Sequence, residues 1–173
     1  MLETHPFPAF VPSKVKYLIL GSFTANSLKI DKEYDWYYGT KRNQFWWLIE
    51  NTYKVNFNNI TDKKNLFRRL KIGITDIIYS CERIENNSLD SNLVNIVYNP
   101  VLPKLLSSKK LETIYFSSKY VEKLFKKVFK DIINKYPDIK FITLPSPSPR
   151  YALLSKFDKV KIYKKILPKL NNE

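Results

Sequence analysis

Four apolar runs, Val15–Leu20, Ile74–Tyr79, Glu112–Phe116 and Asp138–Leu144, alternate along this chain with segments whose apolar residues recur at helical spacing. That alternation is the strongest constraint on the fold. A strand, a helix and a second strand in succession bury their apolar surfaces best as a right-handed crossover between parallel neighbours, with helices covering both faces of the sheet. The first run agrees, because it ends in the consecutive apolar residues Leu18, Ile19 and Leu20, as a strand buried on both faces requires. We therefore expect an α/β fold, a three-layer sandwich around a four-stranded, mainly parallel central sheet. At 173 residues there is room for one core, so residues 1–173 are expected to form a single domain.

Spacing and caps locate the helices. Phe45, Leu48, Ile49 and Thr52 place one that begins near Arg42 or Asn43, and Thr61–Leu70 opens on Thr61-Asp62 and stops before Gly73. Cys81–Leu89 reads as a polar turn. Ser91 or Asn92 then caps a helix carrying Leu93, Ile96 and Val97, which Pro100 ends, and Asn99-Pro100 starts another turn with Leu105 and Leu106. Ser117-Ser118 caps the clearest helix, with Val121, Leu124, Phe125, Val128, Phe129, Ile132 and Ile133 along one face and lysines opposite. Ser155–Leu170 closes the chain as a helix, and Pro6, Pro8 and Pro12 keep Met1–Ser13 extended over the surface.

Composition removes several classes of function. One cysteine, Cys81, excludes an internal disulfide and a cysteine-ligated zinc or iron–sulfur site. The single histidine, His5, stands beside Pro6 near the terminus, which argues against a histidine metal site or a His-centred triad. No apolar run reaches the roughly 20 residues of a membrane span, and Met1-Leu-Glu-Thr-His-Pro lacks the basic-then-apolar pattern of a leader, so a cytoplasmic protein is expected. The net charge of +14 is uneven: residues 104–173 hold 17 Lys and Arg against 6 Asp and Glu. A basic half suits a polyanion; the competing account is coding bias, since nearly all the cations are Lys and the chain is rich in Asn and Ile.

In a parallel sheet the loops after the strands gather along one edge, where open α/β folds bind ligands. Gly21–Asn26, Ser80–Arg83, Ser117-Ser118 and Pro145–Arg150 therefore converge although they are far apart in sequence. Gly21, Ser22 and Phe23 offer backbone N–H groups there. The run Trp36–Trp47, with its aromatics, Gly39, Lys41, Arg42 and Asn43, is a mixture suited to gripping a flat ring.

The order of a strand, a Gly21 loop, Tyr37-Tyr-Gly-Thr-Lys-Arg-Asn-Gln-Phe-Trp46 and, much later, Leu144-Pro-Ser-Pro-Ser-Pro-Arg150 resembles the uracil-DNA glycosylase superfamily, closest to its hypoxanthine-DNA glycosylase branch. Asp76-Ile-Ile-Tyr-Ser-Cys-Glu-Arg83 and Ser88-Leu-Asp-Ser91 fit the same branch, so the resemblance spans nearly the whole chain. It implies a monofunctional DNA glycosylase in base-excision repair that flips a deaminated base, hypoxanthine first and uracil second, out of single- or double-stranded DNA. It also implies a monomer that needs no cofactor and no metal.

Site residues follow from the resemblance position by position. Asn43 is the catalytic candidate, able to hold a base edge or orient a water; the competing account is a helix cap. Tyr38 stacks on the extruded base, with Gly21, Ser22 and Phe23 completing the base site. Lys41, Arg42, Ser146, Pro147, Ser148 and Arg150 meet the DNA backbone, and Arg150 or Tyr151 fills the gap left by the flipped base, unless the Pro-Ser run is only a rigid turn. Two departures stand out. Phe23 occupies the place of the usual acidic residue or Asn, and Leu144 that of the usual His, which leaves a catalytically silent DNA-binding protein as the alternative. An unrelated nucleotide enzyme is disfavoured, because Gly21 is followed by no Gly-rich phosphate loop. Asp76, Glu82, Arg83 and Asp90 could form salt bridges, caps or a carboxylate pair; sequence separation does not decide among these.

Overall fold

The structure is a computed structural model that describes residues 2–24, 35–85, 89–108 and 110–170. Its centre is a four-stranded parallel sheet in the order β3 (Ile72–Asp76), β2 (Tyr17–Gly21), β6 (Thr113–Phe116), β7 (Lys140–Thr143). Side chains alternate across β2. Leu18 and Leu20 enter one core with Ile114 and Phe116, while Ile19 enters the other with Ile72, Ile74 and Tyr115. All of these are essentially buried, which is why the strands read as continuous apolar runs.

Helices α1 (Phe45–Tyr53), α2 (Ile60–Leu70) and α6 (Lys156–Ile166) supply the second core. On the opposite face lie α3 (Val101–Ser107), α4 (Lys119–Val128) and α5 (Lys130–Lys135). The expected cap at Ser118 is present, its side chain accepting the N–H three residues on; Ser155 caps α6 in the same way, and that helix ends at Ile166 rather than Leu170. The α2 cap is one turn-start earlier than Thr61-Asp62: Asn59 accepts from the Asp62 N–H, and the Asp62 carboxylate accepts from the Asn58 N–H. Gly73 does not stop α2. Lys71, in the left-handed region at φ 58°, ends it, and Gly73 lies inside β3, where an added Cβ would sit 3.1 Å from the Phe10 carbonyl. The long amphipathic helix is broken at Phe129 into α4 and α5.

A second sheet was not legible in the sequence. The run Ile74–Tyr79 is two strands, because the chain leaves the parallel sheet at Asp76 and continues as β4 (Ile78–Arg83). β4 pairs antiparallel with β1 (Leu2–Thr4) on one side and with β5 (Leu93–Tyr98) on the other. Leu93–Val97 is thus a strand and not a helix, and Cys81–Arg83 is strand and not turn. Leu93, Ile96 and Val97 fit helical spacing only because Asn95, at φ 50°, lies in a stretch of irregular register that interrupts the strict alternation of a strand. Within residues 1–13, β1 is paired, Phe10 bridges Ile74, and His5 is buried, so this lead-in is built into the fold. Among the described residues no helix is long and apolar enough to cross a membrane.

Candidate active site

Gly21 ends β2 directly opposite Asp76 at the end of β3. A Cβ on Gly21 would collide with Asp76 Oδ1 and with the Tyr38 hydroxyl, so glycine is required here by close approach of two polar groups. The loop after Gly21 stays close to the second sheet: the Ile77 N–H donates to the Gly21 carbonyl at 2.8 Å, and the Ile78 N–H to that of Ser22 at 3.1 Å. Ser117 follows β6 with its N–H on the Leu20 carbonyl, and Leu144 follows β7 with its N–H on that of Phe116. The expected convergence of strand-end loops is therefore present. Of the Gly21–Asn26 loop, residues 25 and 26 lie outside the described residues, as does Ser88.

Asp76 is held by two donors at this edge. His5 Nε2 donates to its Oδ2 at 2.9 Å, and the Thr24 hydroxyl donates to the same oxygen at 3.3 Å. The His5 and Asp76 side chains are only 5% and 6% exposed. The single histidine, although near the terminus, is carried to this edge. Its ring stacks on Tyr37 at 5.2 Å and meets Phe23 edge-on at 5.8 Å. Phe23 in turn lies beneath the Arg83 guanidinium, whose Nε donates to Glu3. The acidic side chains are also drawn together. Burial raises the Asp90 carboxyl above its usual range, the Ser22 side chain opposes this by hydrogen bonding to it, and the Asp76 charge adds to the rise. Asp76 and Asp90 thus flank the Gly21-Ser22 loop, 14 positions apart in sequence and on different elements.

The aromatic run divides into core and site. Trp36 and Tyr37 are buried; Trp36 stacks on Trp46 at 5.5 Å, and Trp46 Nε1 donates to the Tyr37 carbonyl. Tyr38 is different. It holds a left-handed backbone at φ 57°, its ring stacks on Phe45 at 4.4 Å, and its hydroxyl is buried without a hydrogen-bond partner among the described residues. Burial, followed by the Asp76 charge, pushes this phenol well above its ordinary value, and Ser117 opposes the shift. Tyr38 thus combines a left-handed backbone with a buried hydroxyl that has no hydrogen-bond partner among the described residues.

Asn43 stands at the entry to α1, half-buried, with its Oδ1 accepting the Phe45 N–H at 2.9 Å. Asn43 precedes the N-cap, Gln44, which has no side-chain cap of its own; its Oδ1 closes a local turn onto the first N–H of α1 and leaves the Nδ2 donors for another partner. The next residue joins the two expected motifs, because the Gln44 N–H donates to the Pro147 carbonyl at 3.0 Å. The Gln44 side chain accepts from Lys159, a buried amine whose pKa is lowered by desolvation and then by Lys156. Lys41 and Arg42 are exposed on the preceding turn.

The Pro-Ser loop is pinned from below: the Tyr163 hydroxyl donates to the Pro145 carbonyl at 3.0 Å. Ser146 and Ser148 accept the N–H groups of Ser148 and Arg150, which fixes the loop's own turns. Pro147 is buried and Arg150 exposed, while Tyr151 is half-buried with the Lys159 amine over its ring. Sequence reading missed Leu153, which projects just beyond this loop with 83% of its surface exposed. The signal was the Leu153-Leu154 pair lying between the Pro-Ser loop and the Ser155 helix start. Among the described residues no group of three or more His, Cys, Asp or Glu could hold a metal ion, and burial pushes the Cys81 thiol up to about 11, which keeps it protonated and unreactive.

A parallel α/β sandwich with a polar cradle at the carboxyl edge of its sheet, rimmed by aromatics and cations, belongs to the class of folds that bind ligands at strand ends. No family model and no curated protein matches the sequence. Among solved structures, the chain is similar to the solution NMR structure of a candidate uracil DNA glycosylase from Methanosarcina acetivorans, with a TM-score of 0.68 and 22% identity over 95% of this chain and 98% of that one. This likeness establishes the fold.

Proposed function

We propose that the chain is a single-domain, monomeric DNA glycosylase that hydrolyses the N-glycosidic bond of a deaminated base, hypoxanthine first and uracil second. The observation that carries this reading is the direct bond from Gln44 to Pro147, which holds the Tyr38–Asn43 turn and the Pro-Ser loop side by side over one sheet edge. Shared fold with a candidate uracil DNA glycosylase supports it. In this reading the flipped base enters beside Tyr38, and Asn43 Nδ2 donates to the base edge while Oδ1 keeps the helix start. The backbone of Ser22 and Phe23 lines the floor. Lys41, Arg42 and the 146–150 loop hold the phosphates, and Leu153 rather than Tyr151 fills the vacated stack, since an exposed apolar side chain suits that role and a half-buried ring does not.

The reaction breaks the bond between C1′ and the base nitrogen, whose electron pair leaves with the base. Water oxygen bonds to C1′, and the base gains a proton. Incubating the protein with duplexes that differ only in one hypoxanthine, uracil or xanthine, followed by alkaline cleavage, tests this. Release of a free base supports it, and intact strands from all three duplexes overturn it. The second reading, a silent DNA-binding protein, is favoured by Phe23, which packs against the core and leaves no carboxylate at its position; tight DNA binding without base release would establish it.

A further inference from the structure

We infer that Asp76, positioned by His5, is the carboxylate that receives a proton from the attacking water, a role that rests on the glycosylase reading above. The position two residues after Gly21 carries Phe23, so charge must come from elsewhere if water is to be activated at this edge. Asp76 arrives from the neighbouring strand, in register with Gly21. Its two oxygens are unlike. Oδ2 accepts from both His5 and Thr24, whereas Oδ1 accepts no hydrogen bond among the described residues and lies against Gly21, on the side of the unpartnered Tyr38 hydroxyl. One oxygen is thus anchored and the other is presented.

The pair is built rather than incidental. Phe7, Phe23 and Tyr37 surround the His5 ring, and the Tyr37 hydroxyl donates to the carbonyls of Phe7 and Pro8, fixing the segment that carries His5. The Phe7 backbone holds the ring from the other side: its N–H lies 3.2 Å and its carbonyl 2.9 Å from Nδ1, which keeps Nε2 turned to Asp76. Phe23 is itself a wall of this box. As the C1′ bond to the base breaks, water oxygen adds to C1′ and its proton passes to Asp76 Oδ1, later to be lost to solvent; the carboxylate charge also faces the cationic sugar while it lasts.

The test is single-turnover excision measured beside affinity for a duplex with a tetrahydrofuran abasic site. Asp76→Asn, of equal size, is expected to slow excision by roughly 10²–10⁴-fold, the usual range for a general base, while abasic-site affinity stays within about twofold. His5→Leu is expected to slow excision at least about tenfold with the same unchanged affinity, and His5→Gln, which can still donate to Oδ2, to excise about fivefold faster than His5→Leu. The His5 pair decides the matter if Asp76→Asn does not fold. Wild-type rates in Asp76→Asn or in His5→Leu overturn the assignment while leaving the glycosylase reading intact. A wild-type protein that releases no base overturns both.

Discussion

Replacing Gly21 with Ala drives a methyl group into the space held by Asp76 Oδ1 and the Tyr38 hydroxyl, and neither can withdraw freely. Turning the Asp76 carboxylate away breaks its bonds to His5 and Thr24. Moving Tyr38 disturbs its stack on Phe45 and a backbone already at φ 57°. Overpacking of a tight site costs about 1–3 kcal/mol, and leaving a buried hydrogen-bonding group unsatisfied about 1–3 kcal/mol. Ala recovers about 0.4–1 kcal/mol by restricting the unfolded chain. A net loss of about 3 kcal/mol corresponds to a fall in Tm of about 6–12 °C for a domain of this size. Gly73→Ala is the control. Its methyl would meet the Phe10 carbonyl at 3.1 Å and Val15 Cγ2 at 3.3 Å, contacts that need shifts of a few tenths of an ångström, so its loss should be about 1 kcal/mol or less. Thermal melts by circular dichroism, with urea midpoints as a check, measure both. A Gly21→Ala protein melting within about 2 °C of wild type would refute the reasoning, since Asp76 and Tyr38 would then relax without cost.

Other perturbations separate the remaining roles. Asn43→Ala should slow single-turnover excision by about 10²-fold with DNA affinity nearly unchanged, whereas Tyr38→Ala should weaken capture of the flipped base by about 1–3 kcal/mol; a wild-type rate for Asn43→Ala would leave Asn43 a helix cap alone. Affinity for undamaged duplex should fall by orders of magnitude between about 50 and 200 mM salt, because lysines of residues 104–173 displace counterions, and a flat response in a binding titration would return the Lys excess to coding bias. Asp90 has a folded pKa raised above its unfolded value, so the native state holds its proton more tightly and stability declines as pH rises through that window. Asp90→Asn should therefore raise Tm at pH 7 relative to wild type and lose that advantage near pH 4; a lower Tm at pH 7 would mean the Ser22 bond outweighs burial.

What the sequence determined by itself was the order of layers. Strands buried on both faces must be continuously apolar, and Leu18–Leu20 shows it; helices that bury one stripe must repeat at 3.6, and Val121 to Val128 shows it. The cap at Ser118 is local chemistry and was read correctly, and a parallel sheet forces its strand-end loops onto one edge whatever the loops contain. Tertiary structure decided the rest. Whether Leu93–Tyr98 is helix or strand depends on β4 lying beside it, because a half-buried segment with an irregular register satisfies either period. Whether Asp76 is a salt bridge, a cap or a reactive group depends on His5, 71 residues away, being carried to it by the pairing of β1 with β4. No local pattern encodes that distance: a hydrogen bond requires atoms within about 3 Å, and only the packing of the two sheets brings the terminal segment to the end of β3.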